Sequence, residues 1–482
     1  MTAQRYARRP PARRADPTRR TAYDVLAAVA GREAYANLLL PRLLAERSLS
    51  GRDAALATEL TYGTLRGLGT YDAVLAACSD RPLDKLDPPV LQVLRLGAHQ
   101  LLATRVGSHA AVATSVDLAK AVAGPRVSGY VNAVLRRVAT RGAGEWLAIV
   151  APPPDADPDG YLAVRHSHPR WIVGAYRAAL GEAAAGEIEA ALAAGNERPR
   201  VTMATLPGGP GRDSVRPADA VPGQWSPYAF TLAGGDPSAL IAAGQAAVQD
   251  EASQLAAIAL SRVPVTAGPA TGPAGTAGTW LDICAGPGGK ARLLYGLAAG
   301  DGARLLAADT HPHRAALVKS ALDRAVGADV VTGAGDHAGA GVVAADGRRP
   351  PWRHGAFDRV LVDVPCSGLG ALRRRPEARW RKTEADLPAL GKLQRSLLGP
   401  ALAAVRPGGV VAYVTCSPVA AETSDVVRAV LAGAPDVEVL DAPAVLGEVP
   451  DLRSPDPLFA QFWPHRHGTD AIFIALLRRL PA

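Results

Sequence analysis

Cysteine is scarce in this chain: four residues in 482, at positions 78, 284, 366 and 416. No two have the short C-x-x-C spacing of a closed zinc site, and so few thiols argue against a disulfide framework. Lysine is scarce too, with six residues against 47 arginines, a bias read first as coding-sequence composition. No apolar run of roughly 18 residues is free of charges and breakers, so no membrane span is expected. The first 20 residues, MTAQRYARRPPARRADPTRR, hold seven arginines and no apolar core. They do not form a secretory signal, and a cytoplasmic location is expected.

What is present suits an ordinary soluble protein. Hydrophobic residues make up 48% of the chain, enough for normal cores. The length suggests about two to four domains. Net charge is +8, with an isoelectric point near 9.5. Charge alone is accounted for equally by a solvated basic surface or by attraction to phosphate.

Residues 1–20 read as a disordered basic tail, rich in Arg and Pro and without periodicity. Residues 21–140 read as an all-helical bundle of about six or seven helices, with apolar positions at helical spacing. Gly and Pro breakers at Gly31, Gly51, Gly67–Gly69, Pro82, Gly107 and Gly124-Pro125 separate them. Residues 141–160 read as a linker. A small α+β module is expected over 161–240, with helices near Pro169–Leu180 and Glu182–Ala194 and a strand at Arg200–Ala204. From about 241 to 482 the pattern becomes βαβ. Strands are predicted at Trp280–Ile283, Arg304–Ala308, Val342–Ala345, Phe357–Asp363, Gly409–Thr415 and Ala471–Leu477. That order implies an α/β domain with a mostly parallel sheet.

The segment Asp282-Ile-Cys-Ala-Gly-Pro-Gly-Gly-Lys290 runs from a strand through a Gly-rich turn into a helix. Such a turn lets backbone approach a ligand closely. Asp309 ends the next strand and is suited to accept from ribose hydroxyls, and Asp346 ends the third and is placed for an adenine edge. Gly286, Gly288 and Ala291 formally satisfy a dinucleotide fingerprint, whereas Ala291 after Lys290 excludes a Walker loop. Two further apolar strands end in Asp363-Val-Pro-Cys366-Ser and Thr415-Cys416-Ser. Thiols at the carboxyl ends of strands suit covalent catalysis. A thiolate can add to C6 of a pyrimidine and make C5 nucleophilic toward a methyl group. Nicotinamide chemistry has no evident use for two thiols there, so S-adenosylmethionine is the cofactor expected. The pairs His311/His313 and His465/His467 lack a third ligand cluster, and no metal is expected.

These motifs together resemble the Sun/Nop family of RNA cytosine-C5 methyltransferases. The match takes in the loop Cys284, Ala285, Gly286, Pro287, Gly288, Gly289 and Lys290, both cysteine motifs, Val248–Gln254, and the basic stretch Leu372–Trp380. The segments Glu59–Arg66, Leu94–Gln100 and Val131–Arg136 resemble the NusB-like domain of the type that acts on small-subunit rRNA. The resemblance implies a Rossmann-like methyltransferase domain preceded by an all-α NusB-like RNA-binding bundle. It implies that Cys416 is the nucleophile and that Cys366 assists release of the adduct. Asp363 and Lys290 would line the pocket. The loop 284–290, Asp309, Asp346 and Asp363 would hold S-adenosylmethionine. Asp336 competes with Asp346 for the third-strand role. Arg373, Arg374 and Arg375 are expected to meet the RNA backbone. The implied substrate is a cytosine in a 16S rRNA hairpin, with tRNA or 23S rRNA as alternative targets, or a non-catalytic RNA-binding role in antitermination as an alternative class. No obligate protein partner is implied. Gly286 departs from the usual alanine of the family.

Overall fold

The computed structural model describes residues 15–31, 34–266, 278–326 and 339–481. Asp336 and residues 1–14 of the expected tail lie outside that range. The chain divides into two compact units. One comprises the chain through Val173 together with Arg374–Arg381; the other comprises Gly174–Arg373 and the chain from Lys382 onward. No helix among the described residues is long and apolar enough to cross a membrane.

The first unit is helical. Its helices include Pro17–Ala30, Ala36–Glu46, Gly51–Arg66, Leu68–Cys78, Pro88–Ala103, Ser108–Ala123, Ser128–Val138, Ala143–Val150 and Pro158–Arg165. Their apolar faces meet in a core that includes Leu26, Leu60, Leu75, Val93, Leu94, Leu96, Val131 and Leu135. The first helix starts inside the stretch expected as tail. Asp16 caps it by accepting from the Thr18 and Arg19 amides, and Pro17 fills its first turn, a combination that starts helices efficiently. The stretch expected as linker, 141–160, contains the helix Ala143–Val150. Trp146 anchors it, buried with its indole N–H on the Val138 carbonyl.

In the second unit, a four-stranded antiparallel sheet comes first: β1 (Thr202–Thr205), β2 (Val221–Pro222), β3 (Ala229–Thr231) and β4 (Ala246–Val248) in the order β2-β3-β1-β4. β4 carries this sheet past residue 240. The main sheet contains β5 (Thr279–Asp282), β6 (Arg304–Asp309), β7 (Ala340–Ala344), β8 (Phe357–Asp363), β9 (Val405–Thr415), β10 (Val437–Leu440), β11 (Ala460–Gln461) and β12 (Phe473–Arg479). The order is β10-β12-β9-β8-β5-β6-β7, with β11 on β12. β5 through β9 are mutually parallel, whereas β12 and β10 run antiparallel. β10, at the sheet edge, is four residues, with Glu438 exposed and the other three half-buried, too short to stand out in the sequence. Strands β8 and β9 are almost wholly buried, as expected of a parallel sheet covered on both faces. The chain winds outward from β5 through β6 to β7, then returns to β8 on the other side of β5. The reversal opens a crevice at the carboxyl ends of β5 and β8, where open α/β sheets bind ligands.

Candidate active site

The crevice is lined from three strand ends. Asp282 closes β5, Asp309 closes β6 and Asp363 closes β8. The loop 284–290 leads into the helix Gly289–Gly300. Gly288 has φ +112°, a conformation that favours glycine. Gly286 sits close to its neighbours. A Cβ there would sit 2.5 Å from Asp309 Oδ2 and 2.9 Å from the Arg314 Cβ. Asp309 is buried and organises the loop itself: Oδ2 accepts from the Gly286 amide at 3.1 Å, and Oδ1 from the His311 amide at 3.0 Å. Arg314 Nε lies 3.5 Å from Oδ2, so Oδ1 is the oxygen with the freer lone pair for a ligand hydroxyl. Lys290 Nζ reaches across the crevice to Asp363 Oδ2 at 2.8 Å.

Both cysteine motifs lie side by side beyond β8 and β9. Asp363 pairs in register with Val414, and the ladder ends with the Val364 amide on the Val414 carbonyl. Two residues further on each strand, Cys366 and Cys416 bring their sulfurs to 3.2 Å. Both are half-buried and unoxidised. Gly370 donates its amide to the Cys416 carbonyl at 2.8 Å. A Cβ on Gly370 would lie 1.9 Å from the Ala471 carbonyl oxygen, so only glycine fits.

The electrostatics follow from burial and charge. The hydrogen bond between the sulfurs couples the two thiols, lowering the pKa of one and raising that of the other, with burial adding to the second effect. The pair therefore gives up one proton readily and holds the other, because two adjacent thiolates repel. Burial opposes the Lys290 ammonium, but the Asp363 carboxylate outweighs it and the pKa rises. Burial, with the Asp363 charge behind it, pushes Asp282 up to about 8. Both Asp282 carboxyl oxygens are buried without a hydrogen-bond partner, and the Cys284 backbone only partly offsets the upward shift. Burial, then Asp282, pushes the Cys284 thiol up, away from nucleophilic duty.

The remaining expected site residues differ in their surroundings. Asp346 lies two residues past β7 and pairs with the exposed Arg348 at 2.8 Å, which holds its carboxyl below the ordinary range. Arg373 is a correction to the expected RNA contact. It is buried, donating to Asp250 at 2.8 Å, Asp470 at 2.6 Å and the Gly468 carbonyl at 2.7 Å. A run of arginines reads the same whether solvated or buried, and only the two buried carboxylates decide. Arg374 is half-buried and Arg375 exposed. His465 bonds to Glu187, while His467 accepts the Trp463 amide and faces the Pro450 carbonyl. Glu422, Ser367, Ser417 and Gln394 are site residues that sequence reasoning missed. The serines beside both cysteines were the available signal.

The cradle fits a nucleoside-bearing cofactor such as S-adenosylmethionine. The carboxylates of Asp309 and Asp363 close two strands at the crevice and can accept from hydroxyl or ammonium donors, and Gln249 Nε2 is buried without a partner beside Gly289. Comparison with known proteins agrees with this arrangement. Residues 274–478 match the family described as 16S rRNA methyltransferase RsmB/F, and residues 16–140 match the NusB family. A Mycobacterium tuberculosis protein named as a methyltransferase is 48% identical, over 98% of this chain and 99% of its own length. The Pseudomonas putida ribosomal RNA small subunit methyltransferase B is 32% identical, over 96% of this chain and 99% of its own. The crystal structure of PH0851 shares the fold, with a TM-score of 0.75 at 22% identity, covering 96% of this chain and 99% of that one.

Proposed function

Because the chain belongs to the 16S rRNA methyltransferase RsmB/F family, we propose that it transfers a methyl group from S-adenosylmethionine to C5 of a cytosine in 16S rRNA. The observation that carries this reading is the sulfur pair, 3.2 Å apart at the carboxyl ends of two adjacent parallel strands. Cys416 adds to C6 of the cytosine, which breaks the C5–C6 double bond and leaves an electron pair at C5. The loop 284–290 with Asp309, Asp346 and Asp363 would hold S-adenosylmethionine, which would supply an electrophilic methyl group for that carbon. Cys366 then assists elimination: its thiolate takes the C5 proton, the C5–H electron pair re-forms the C5–C6 double bond, and the C6–S bond breaks with its pair returning to the Cys416 sulfur. The Lys290–Asp363 pair forms the polar wall of the pocket. The target base must leave its stack to reach thiols at the bottom of a crevice. The NusB-like unit and the arginine-rich surface supply affinity for the rRNA, with Arg375 as an exposed phosphate contact. The reaction takes place in the cytoplasm, on a hairpin region.

Bisulfite sequencing of total RNA from a deletion strain tests this. The expected result is the loss of one 5-methylcytosine in 16S rRNA. Loss of a methylated cytosine in tRNA or 23S rRNA instead would move the substrate and keep the chemistry. An unchanged cytosine map, with methylation lost at another base, would overturn the reading.

A further inference from the structure

We propose that Glu422 is the positioning residue of the thiol pair, its carboxylate clamping the two Cys–Ser turns together so that Cys366 and Cys416 stay at sulfur contact. The catalytic consequence rests on the cytosine-C5 reading; the clamp itself does not.

Glu422 is fully buried. Its Oε1 accepts the Ser367 amide at 2.7 Å and Gln394 Nε2 at 3.2 Å. Its Oε2 accepts the hydroxyls of Ser367 at 2.5 Å and Ser417 at 2.6 Å. Each of these serines directly follows one of the cysteines. A carboxylate has about four acceptor sites, and four donors fill them. Four donors are what a buried charge needs to be tolerated. Gln394 also donates to the Pro365 carbonyl at 3.0 Å, so the residue before Cys366 is tied to the same group. The clamp is anchored in turn, since the Glu422 carbonyl accepts the buried Tyr413 hydroxyl at 2.7 Å.

The β-ladder cannot do this work. Its last bond joins Val364 to Val414, and both cysteines lie two residues beyond it. Past that point the Gly370 amide on the Cys416 carbonyl, at 2.8 Å, and the Ser367 and Ser417 hydroxyls, 3.2 Å apart, also link the two turns, but each is a single bond at one point. Glu422 bridges both. A site needing only stability would be served as well by apolar packing; a fully satisfied carboxylate between two turns specifies one geometry instead.

The full-length Glu422→Gln protein tests the proposal, because glutamine keeps the shape and presents an N–H₂ group to the serine donors. Two rates are measured. The first is diamide-driven oxidation of Cys366 and Cys416 to a disulfide, in which the two thiols pass two electrons and two protons to the diamide. It needs neither RNA nor cofactor. The second is methyl transfer. Both the disulfide rate and kcat should fall about tenfold or more, with KM for RNA and for S-adenosylmethionine unchanged, since small displacements of reacting groups cost rate rather than binding. A wild-type rate in either assay, including one accompanied by a lower melting temperature, overturns the proposal. If wild-type protein forms the disulfide quickly but methylates no RNA, the functional reading fails and the disulfide rate alone judges the clamp. If Glu422→Gln does not fold, Ser417→Ala, which removes one donor and keeps the carboxylate, makes the same comparison with an expected fall of about threefold in both rates.

Discussion

At the scale of single residues, the site separates charge states by environment. Two sulfurs 3.2 Å apart share their protons, whereas the Cys284 thiol, in a buried acidic setting, keeps its own. Two substitutions assign the thiol roles. Cys416→Ala should form no covalent RNA complex and show no activity, while Cys366→Ala should accumulate a protein–RNA adduct that survives a denaturing gel. The reverse pattern would exchange the roles, and an adduct from the double variant would end the thiol mechanism. Asp282 gives a pH prediction. Its folded pKa, about 8, lies above the ordinary value of 3.8, so between those limits the folded protein binds more protons than the unfolded chain. Stability therefore falls as pH rises through this window, by up to about 1.4 kcal/mol per unit. Asp282→Asn should flatten that decline, giving a protein more stable than wild type at pH 9 but not at pH 4. Urea denaturation across the range measures it, and identical pH slopes for the two proteins would count against a protonated Asp282.

At the scale of elements, the turn after β8 is held at several points at once. Tyr176 donates to the Leu369 carbonyl at 2.6 Å, Gly370 donates to Cys416, Ala471 donates to Gly370, and Arg373 joins Asp250 to Asp470. Arg373 thus serves the turn rather than the RNA. Arg373→Ala would leave two buried carboxylates without that cation, and should cost about 3–5 kcal/mol in urea denaturation. In protein kept folded, the salt dependence of RNA binding should not change. Arg375→Ala is the contrasting case. If this exposed arginine meets a phosphate, its removal should lower the log–log salt slope by about one while leaving stability within about 0.5 kcal/mol of wild type. A reduced slope for Arg373→Ala alone would restore the arginine to the RNA interface.

At the scale of the whole molecule, the chain leaves the catalytic unit directly after Arg373 and returns after Arg381. Between these points it is packed as part of the helical unit. Arg379 is fully buried and donates to the Ser167 carbonyl, Arg381 donates to the carbonyls of Val29 and Ala34, and Glu377 accepts the Ala36 amide. The two units are therefore joined by three chain crossings instead of one. A fragment of residues 174–482 loses every one of those partners. Limited trypsin digestion should cut it rapidly after Arg379 and Arg381, at sites that resist cleavage in the full-length protein, because cleavage tracks local opening. Equal resistance in fragment and full chain would show that the segment holds its conformation without the helical unit.

The sequence by itself determined the sheet's parallel strands, the Gly-rich loop, both cysteine turns and most of the helical bundle. These are local signals: apolar runs of strand length, helical periodicity and turn residues act over a few positions, and the motifs at their ends carry the chemistry with them. Tertiary structure alone decided what depends on residues distant in the chain. The burial of Arg373 requires Asp250 and Asp470, which lie more than 90 residues away on either side. Glu422 gains its role only when β8 and β9 lie in register and bring Ser367 and Ser417 to one carboxylate. An arginine in a basic run and a glutamate before a helix carry no local mark of such partners, since pairing energy depends on distance and burial rather than on sequence spacing.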